Sequence, residues 1–327
     1  MALTTILLVG AGLFATSFVR LMRVDSGFDP NGVLSLAVGA PADPRSPAAR
    51  AAGRGSEVIE QVVDAVGRVP GVELVGAVTG GLPLSGNWSR SSVELPGRGE
   101  LPGADNEIDV RRISPEYLSV LRVPLLRGRH LAAGDRASAP LVALVNDAAA
   151  RKYWPGQDAL GQRITIADRE RVVVGVVGNI RHLGPETPCR QEAYVPLAQE
   201  RVTAATLVAR TTRPPFEVLP AVKEAIRSIN RDQRFSSDVI TLDGYMDRLV
   251  GQRRFLMALT ALLGCLGLVI AAAGVYGVMS YVVTQRTGEI GLRMALGATP
   301  GSVLRQVLQH ASILLGAGLA IGLAGAW

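Results

Sequence analysis

Residues Arg254–Val283 read RFLMALTALLGCLGLVIAAAGVYGVMSYVV and contain no charge after Arg254. At about 1.5 Å of rise per residue, a helix of this length exceeds the ~30 Å thickness of a bilayer's hydrocarbon core. The stretch therefore predicts a transmembrane helix. A polar segment at 284–298 follows it, and a second apolar run comes next. A short patterned loop between two spans is typical of a transporter or signalling subunit.

The apolar residues outside this stretch are also segregated along the chain, which has 327 residues and is 48% hydrophobic. They concentrate at 2–19 and 311–327, while roughly 230 residues of ordinary composition separate the first run from the central one, enough for one large or two small cores. We expect a large extramembrane domain between the first two spans. Because the last run stops at Trp327 without a flanking anchor, we also expect a fragment of a longer protein.

Two separated β-α-β units are predicted within the extramembrane domain. The first has strands at 33–38 and 72–78, joined by a helix with Ser46 as N-cap and Pro47 at its first position. The second has strands at 204–210 and 239–242. Their helices are indicated by apolar stripes, formed by Val58, Ile59, Val62, Val63 and Val66 and by Val218, Val222, Ile226 and Ile229. Two such units can pair into one ferredoxin-like α+β layer.

A separate, β-richer lobe is predicted between these units, from Gly81 to Gln199. We expect short strands at 108–112, 141–146, 162–166 and 172–177, and small helices at 115–121 and 147–153. The segment Ser85–Ser92 is interpreted as a mobile loop. The fold class is therefore an α+β domain, with a ferredoxin-like porter lobe and an inserted β-rich lobe, between transmembrane α-helices.

The net charge of +6 does not indicate nucleic-acid binding, because only Lys152 and Lys223 are lysines and the arginines lack interleaved aromatic residues. One group of arginines could meet an anionic ligand or partner, but we interpret it as a solvated face. It comprises Arg111, Arg112, Arg122, Arg127 and Arg129.

The chain shows no pattern of a catalytic or cofactor site. Neither lysine follows a glycine-rich loop, so the chain lacks a Walker A motif and is not itself an ATPase. His130, His182 and His310 lack metal-ligand spacing, and we interpret each as a surface or interfacial residue. We expect no catalytic residue, no metal and no bound cofactor.

The segment 284–298 has the pattern of a short amphipathic helix. Glu289 and Arg293 are spaced for an i, i+4 ion pair, and Ile290 and Met294 share one face. Gly297-Ala298 ends this helix before Thr299-Pro300 begins the next. From these residues alone, an interfacial helix that only anchors the chain remains an equal alternative.

Several motifs together resemble the FtsX/MacB-like family of ABC transporter permeases. The segment QRTGEIGLRMALGA at 285–298 is similar to that family's R-T-x-E-I-G-x-R-x-A pattern. The segments ISPEYL (113–118), VPLLRGR (123–129), VND (145–147) and WPGQDALG (154–161) look like its periplasmic core domain. Residues 20–30, RLMRVDSGFDP, are similar to the entry into that domain in duplicated orphan permeases.

The resemblance implies a cytoplasmic loop that docks on a separate ABC ATPase subunit, where ATP would be used. The implied contact residues are Arg286, Glu289, Ile290, Arg293 and Met294. It also implies a second permease unit, as a dimer or tandem module, a bacterial inner membrane location, and an outer domain that could meet a periplasmic protein. Helix packing through small residues is expected at Gly267 and Ala271 and at Gly318 and Gly322.

The implied layout has five parts. They are a transmembrane helix at 1–24; a periplasmic core domain at 25–245, with a porter-like lobe at 25–80 and 200–245 and an inserted lobe at 81–199; a stalk and transmembrane helix at 246–283; a cytoplasmic coupling loop at 284–299; and a truncated transmembrane helix at 300–327. The chain would thus be a permease subunit. The alternative is a non-transporting mechanotransmission or sensor protein, or an orphan scaffold, that regulates a periplasmic partner.

Overall fold

The computed structural model describes residues 26–39, 55–83, 85, 89–97, 106–182, 187–229, 239–285, 287, 288 and 292. The chain divides into two compact units. One, the core unit, comprises Val24–Arg248, and the other comprises Met1–Arg23 together with Leu249–Trp327. The predicted N-cap Ser46 and Pro47 lie outside the described residues.

The described strands are β1 (Val33–Gly39), β2 (Val72–Thr79), β3 (Arg90–Glu94), β4 (Glu107–Ile113), β5 (Leu125–Gly128), β6 (Val142–Asn146), β7 (Arg163–Ile166), β8 (Arg169–Val177), β9 (Glu192–Pro196), β10 (Ala204–Thr211) and β11 (Ile240–Thr241). The described α-helices are α1 (Gly55–Gly67), α2 (Tyr117–Val120), α3 (Asp147–Tyr153), α4 (Pro215–Ile229) and α5 (Leu242–Gln285). A 3-10 turn spans Leu197–Gln199.

The two predicted β-α-β units are present and share one antiparallel layer. Strand β10 of the second unit lies between β1 and β2 of the first, and β11 pairs with the free side of β1. The apolar stripes of α1 and α4 pack on this layer through Val62, Val66, Val218, Val222 and Ile226. Ile229, predicted on the same stripe, is instead exposed at the end of α4. A mixed α/β layer with both helices contributing to one core follows from these contacts.

The strands between the two β-α-β units, apart from β5, close into a ring. Its order is β4-β3-β7-β8-β6-β9, and a parallel pairing of β9 with β4 completes it. The ring encloses the apolar side chains of Val93, Ile108, Val110 and Ile164 with their neighbours. The helix α3 packs Tyr153 and Trp154 into the same cluster. Such closure leaves few unpaired strand edges.

The layer and the ring belong to one hydrogen-bonded sheet. Only two residue pairs, Val78 with Ile113 and Thr79 with Arg112, join β2 to β4. Beside this junction Gly76 faces α2, where a Cβ atom on Gly76 would lie 2.5 Å from Tyr117 Cα. The junction therefore consists of few paired residues, and it is closely packed.

Three described strands were not predicted: β3, β5 and β9. The interpretation of Ser85–Ser92 as a mobile loop is wrong for Arg90, Ser91 and Ser92, which pair with β4. One side of β3 is exposed and polar, so the segment lacks the run of apolar residues that would predict a strand. Strand β5 is only four residues long, and β9 is a short, fully buried segment that ends in proline.

The helix α5 has 44 residues without interruption. It begins at Leu242, which is buried in the main apolar cluster of the core unit together with the partly buried Met246. The helix of the predicted span thus extends back through residues 243–253. Within α5, Ala258–Gln285 is long and apolar enough to cross a membrane, the one such helix among the described residues. The predicted spans at 1–24 and 300–327 lie outside them.

Candidate functional site

The predicted ATPase-contact residues Arg286, Glu289, Ile290, Arg293 and Met294 lie outside the described residues. Their neighbours Thr287, Gly288 and Leu292 are helical, and all three are exposed. Thr287 donates its hydroxyl hydrogen to the helix, with Oγ1 3.0 Å from the carbonyl oxygen of Val283. The coupling role of this segment stays a prediction.

Of the predicted packing residues, Gly267 and Ala271 lie one helical turn apart on α5 and are half-buried. Gly318 and Gly322 lie outside the described residues. Large apolar side chains such as Leu262, Leu266, Val269 and Ile270 are exposed around Gly267 and Ala271. An apolar helix surface of this kind suits lipid or another helix, and its packing partner stays a prediction.

A buried charge cluster lies at the junction between the layer and the ring. Arg111 on β4 and Glu192 on β9 form an ion pair with 3.1 Å between Nε and Oε1, and both side chains are 2% exposed. Glu192 also accepts a hydrogen bond from the hydroxyl of Tyr194 at 2.7 Å. His182 places Nε2 2.9 Å from Glu192 Oε1. We call these four residues the junction cluster.

The junction cluster also holds the chain where it leaves the layer. Arg111 Nη1 donates to the carbonyl oxygens of Gly80 and Gly81, at 2.8 and 2.5 Å. Both glycines have positive φ angles, +93° and +94°, which side chains with a Cβ rarely adopt. One guanidinium therefore joins β4, β9 and the turn after β2.

The electrostatics of the junction cluster favour an ionised Glu192. Burial by itself raises the pKa of this carboxyl, but His182, Arg111 and the Tyr194 hydroxyl lower it more, so that the net pKa lies below the ordinary value. Burial raises the pKa of Tyr194 well above its ordinary value, and Glu192 adds to the rise. The tyrosine hydroxyl thus stays protonated and donates to a carboxylate.

A second arginine fixes the segment that enters the core unit. Arg210 on β10 donates to the carbonyl oxygens of Asp29, Asn31 and Val120, at 2.8–2.9 Å. Its Nη1 also lies 3.2 Å from the carboxylate of Asp29, which Arg122 contacts as well. The pKa of Asp29 is lowered: burial raises it, but the Asn31 backbone and both arginines outweigh that effect. The entry segment is therefore anchored to strand and helix ends.

A third group of arginines surrounds one carboxylate near an end of the ring. Glu200 is contacted by Arg169 at 2.9 Å, by Arg112 at 3.6 Å and by Arg171. These side chains line a pocket of about 70 Å³, and Arg112, Arg169 and Glu200 also line a larger cleft of about 770 Å³. The cleft reaches Glu57 and Glu60 of α1.

The interpretation of the arginines as a solvated face is wrong for Arg111. The exposed Arg122, Arg127 and Arg129 agree with it, each in an ion pair with an aspartate. Strand alternation is the signal that could have found Arg111, because it shares a face with the buried Ile113. His182, interpreted as a surface or interfacial residue, is not at the surface, because its side chain is largely buried against Glu192.

Within the described part of the chain, no three His, Cys, Asp or Glu side chains lie close enough together to hold a metal ion. The junction cluster has an arginine, a histidine, a tyrosine and a single carboxylate. Such a set forms a buried hydrogen-bond network.

Comparison with known proteins gives the family. Residues 1–229 match the model of the MacB-like periplasmic core domain, and residues 261–327 match that of the FtsX-like permease C-terminal region. The chain therefore belongs to the family of ABC transporter permeases with a MacB-like periplasmic core domain and an FtsX-like C-terminal region, as its motifs predicted.

Two relatives illustrate the extent of the similarity. The "Probable export ATP-binding/permease protein MacB" of Pseudomonas entomophila (strain L48) is 28% identical over 71% of this chain and 37% of its own length. The "Macrolide export ATP-binding/permease protein MacB" of Mannheimia succiniciproducens is 26% identical over 72% of this chain and 35% of its own. This chain thus spans little more than a third of these relatives. The crystal structure of the periplasmic region of MacB from Actinobacillus actinomycetemcomitans matches 70% of this chain and 97% of its own, at 12% identity and a TM-score of 0.47.

Proposed function

We propose that the chain is the transmembrane permease subunit of an ABC transporter, in which a separate ATPase drives conformational change of a periplasmic core domain for export or mechanotransmission. The family supports a permease. The relatives named ATP-binding/permease proteins match over about a third of their length, and that match falls on residues of this chain without a Walker A motif. The proposal places the ATPase on a partner subunit, as the resemblance of residues 285–298 implies.

The observation that supports coupling best is the continuity of α5. Its 44 residues correspond to about 66 Å at ~1.5 Å per residue, roughly twice the thickness of a hydrocarbon core. Leu242 at its start is buried in the core unit, while its end at Gln285 adjoins the segment with Glu289 and Arg293. An uninterrupted helix is suited to transmitting displacement along its axis.

The proposed arrangement follows the predicted layout. The β-α-β layer is a ferredoxin-like porter lobe, and the ring is the inserted lobe. The loop at 284–299 is cytoplasmic and contacts the ATPase through Arg286, Glu289, Ile290, Arg293 and Met294. A second permease unit completes the assembly in the inner membrane, and a periplasmic protein meets the core domain. The chain itself binds no cofactor.

A pull-down of the full-length parent from its native host tests the ATPase contact. The test variant is Glu289→Arg/Arg293→Glu, which keeps the i, i+4 ion pair but reverses its direction. The matched control is Glu224→Arg/Arg227→Glu, which reverses an exposed pair on α4 of the core unit. The proposal predicts that an ABC ATPase is recovered with the wild type and with the control. At least tenfold less ATPase should be recovered with the test variant.

The other outcomes distinguish the alternative functions. An ATPase recovered equally with all three proteins would contradict the assigned contact residues. If no ATPase were recovered with any of them, the coupled permease would be wrong and an orphan scaffold would take its place. A non-transporting mechanotransmission or sensor protein would retain the ATPase but show no transport in vesicles that contain the complete assembly.

A further inference from the structure

Arg171 is the most unusual buried cation in the described part of the chain. Its side chain is 3% exposed, and Nη2 bonds to Glu200, but Nε and Nη1 have no hydrogen-bond partner among the described residues. A buried donor of this kind costs about 1–3 kcal/mol or more when it is charged and left unpaired. An acceptor is therefore missing from the surroundings of Arg171.

The pocket beside Arg171 has room for that acceptor. It measures about 70 Å³, where roughly 10–15 Å³ is enough to hold one water molecule. Its polar lining comes from strands on the rim of the ring, with Ser91 on β3, Arg112 on β4 and Arg169 on β8, and from Glu200. Val110, Ile166, Ala167 and Val195 contribute its apolar lining.

The charge balance of the pocket is strongly positive. Arg112, Arg169 and Arg171 share the single carboxylate of Glu200, which leaves two positive charges uncompensated within the group. Arg90 lines the same pocket, although it is paired with Glu107 and Asp109 outside it. Burial lowers the pKa of Arg171, Glu200 opposes that effect, and Arg169 and Arg112 add to the lowering. Like charges are thus held together at close range.

We infer that this pocket binds a small oxyanion, either a carboxylate or a phosphate group, between Arg171, Arg169 and Arg112. Guanidinium groups bind both anions through paired N–H donors. The cleft of about 770 Å³ shares Arg112, Arg169 and Glu200 with the pocket, so it offers space for the rest of a molecule that carries the anion. The inference does not depend on the proposed coupling to an ATPase.

Isothermal titration of the full chain in zwitterionic nanodiscs tests the site, with inorganic phosphate and succinate as probes at constant ionic strength. The inference predicts saturable binding of one equivalent of anion per chain. In Arg169→Gln and Arg171→Met, affinity should fall at least tenfold. The matched control is Arg127→Gln, which removes an exposed arginine of β5 that is paired with Asp158. It should bind both probes with the affinity of the wild type.

A fourth variant keeps the test decisive if Arg171→Met fails to fold. Glu200→Gln removes the one carboxylate that competes for the arginines, so it should bind phosphate more tightly than the wild type. Preference for phosphate over succinate, or the reverse, identifies which oxyanion the site selects. No saturable binding of either probe to the wild type, or equal binding in Arg169→Gln, would overturn the inference.

Discussion

Arg111 and Glu192 meet across β4 and β9 with 3.1 Å between Nε and Oε1, although 81 positions separate them in the sequence. The pair lies where the β-α-β layer and the closed ring of strands join through only two residue pairs of β2 and β4. Arg111 also binds the carbonyl oxygens of the Gly80-Gly81 turn. One buried interaction thus fixes both the closure of the ring and its attachment to the layer.

Breaking this pair should destabilise the core unit strongly. Removal of one member of a buried ion pair leaves an uncompensated charge and costs about 3–5 kcal/mol. We expect this loss for Arg111→Met and for Glu192→Leu, whereas the double variant should lose much less than the sum. Thermal and denaturant unfolding of the full chain in nanodiscs measures the double-mutant cycle.

The exposed pair Arg163–Glu170 provides the control, with 2.9 Å between Nη1 and Oε1. The cycle of Arg163→Met and Glu170→Leu should give a coupling of about 0–1 kcal/mol, as is usual at the surface. Additive effects at Arg111 and Glu192 would show that the buried pair does not act as a unit.

Acid should destabilise the core unit through Glu192. The pKa of Glu192 is lowered in the folded state, so its contribution is present above the ordinary pKa of 4.5 and is lost as the pH falls below that value. Asp29 and Asp135 also have lowered pKa values and add to the loss. The unfolding midpoint of the wild type should therefore fall as the pH falls from about 5 to 3.

Two variants separate these contributions. Glu192→Gln should reduce the fall of the unfolding midpoint between about pH 5 and 3. Burial raises the pKa of Asp109, so protonation of this group in acid favours the folded state and partly offsets the loss. Asp109→Asn removes the offset and should steepen the dependence. The same slope of unfolding midpoint against pH in the wild type, Glu192→Gln and Asp109→Asn would contradict this assignment.

Gly76 should tolerate no side chain. A Cβ atom there would lie 2.5 Å from Tyr117 Cα and 2.9 Å from its backbone nitrogen, so α2 would have to move. We expect Gly76→Ala to cost about 1–3 kcal/mol of unfolding free energy. Gly67→Ala, at the end of α1 with no atom within 4 Å, should be neutral or stabilising by up to about 1 kcal/mol. Equal effects of the two substitutions would contradict the close packing at the junction.

The turn between β7 and β8 offers a stabilising change. Ala167 and Asp168 have φ angles of +48° and +60°, in the left-handed region that two-residue hairpin turns require. Asn-Gly suits this turn better, so Ala167→Asn/Asp168→Gly should raise the unfolding free energy by about 1 kcal/mol. Gly156→Ala, at φ +71° with no atom within 4 Å, should lower it by a similar amount. A lower unfolding free energy for Ala167→Asn/Asp168→Gly, or a higher one for Gly156→Ala, measured by calorimetry, would contradict these turn conformations.

The sequence predicted elements with strong local patterns. A helix is predicted at 147–153, and α3 has these bounds; the side chain of Asn146 accepts the backbone N–H of Ala149 as its N-cap. The continuous apolar run of Val142–Val145 likewise predicts β6, in which every residue is buried. These features depend on residues within one turn or one strand of each other.

The junction cluster could not be predicted because its partners are distant in sequence. Alternation places Arg111 on the face of Ile113, but only the parallel pairing of β4 with β9 brings Glu192 to it. The short strand β9 (EAYVP) shows neither apolar alternation nor a continuous apolar run, although all five of its residues are buried. The family motif at 285–298 was found in the sequence for the opposite reason, since its residues are contiguous.

The central claim is that the loop at Glu289 and Arg293 couples an ATPase to the core domain. Hydrogen-exchange mass spectrometry of the full-length parent with its ATPase, without nucleotide and with ATP plus vanadate, tests it most directly. The account predicts nucleotide-dependent exchange in core-domain peptides of the wild type and of Glu224→Arg/Arg227→Glu, and none in Glu289→Arg/Arg293→Glu. The coupling would be contradicted if core-domain exchange did not change with nucleotide in the wild type, or if it changed equally in Glu289→Arg/Arg293→Glu.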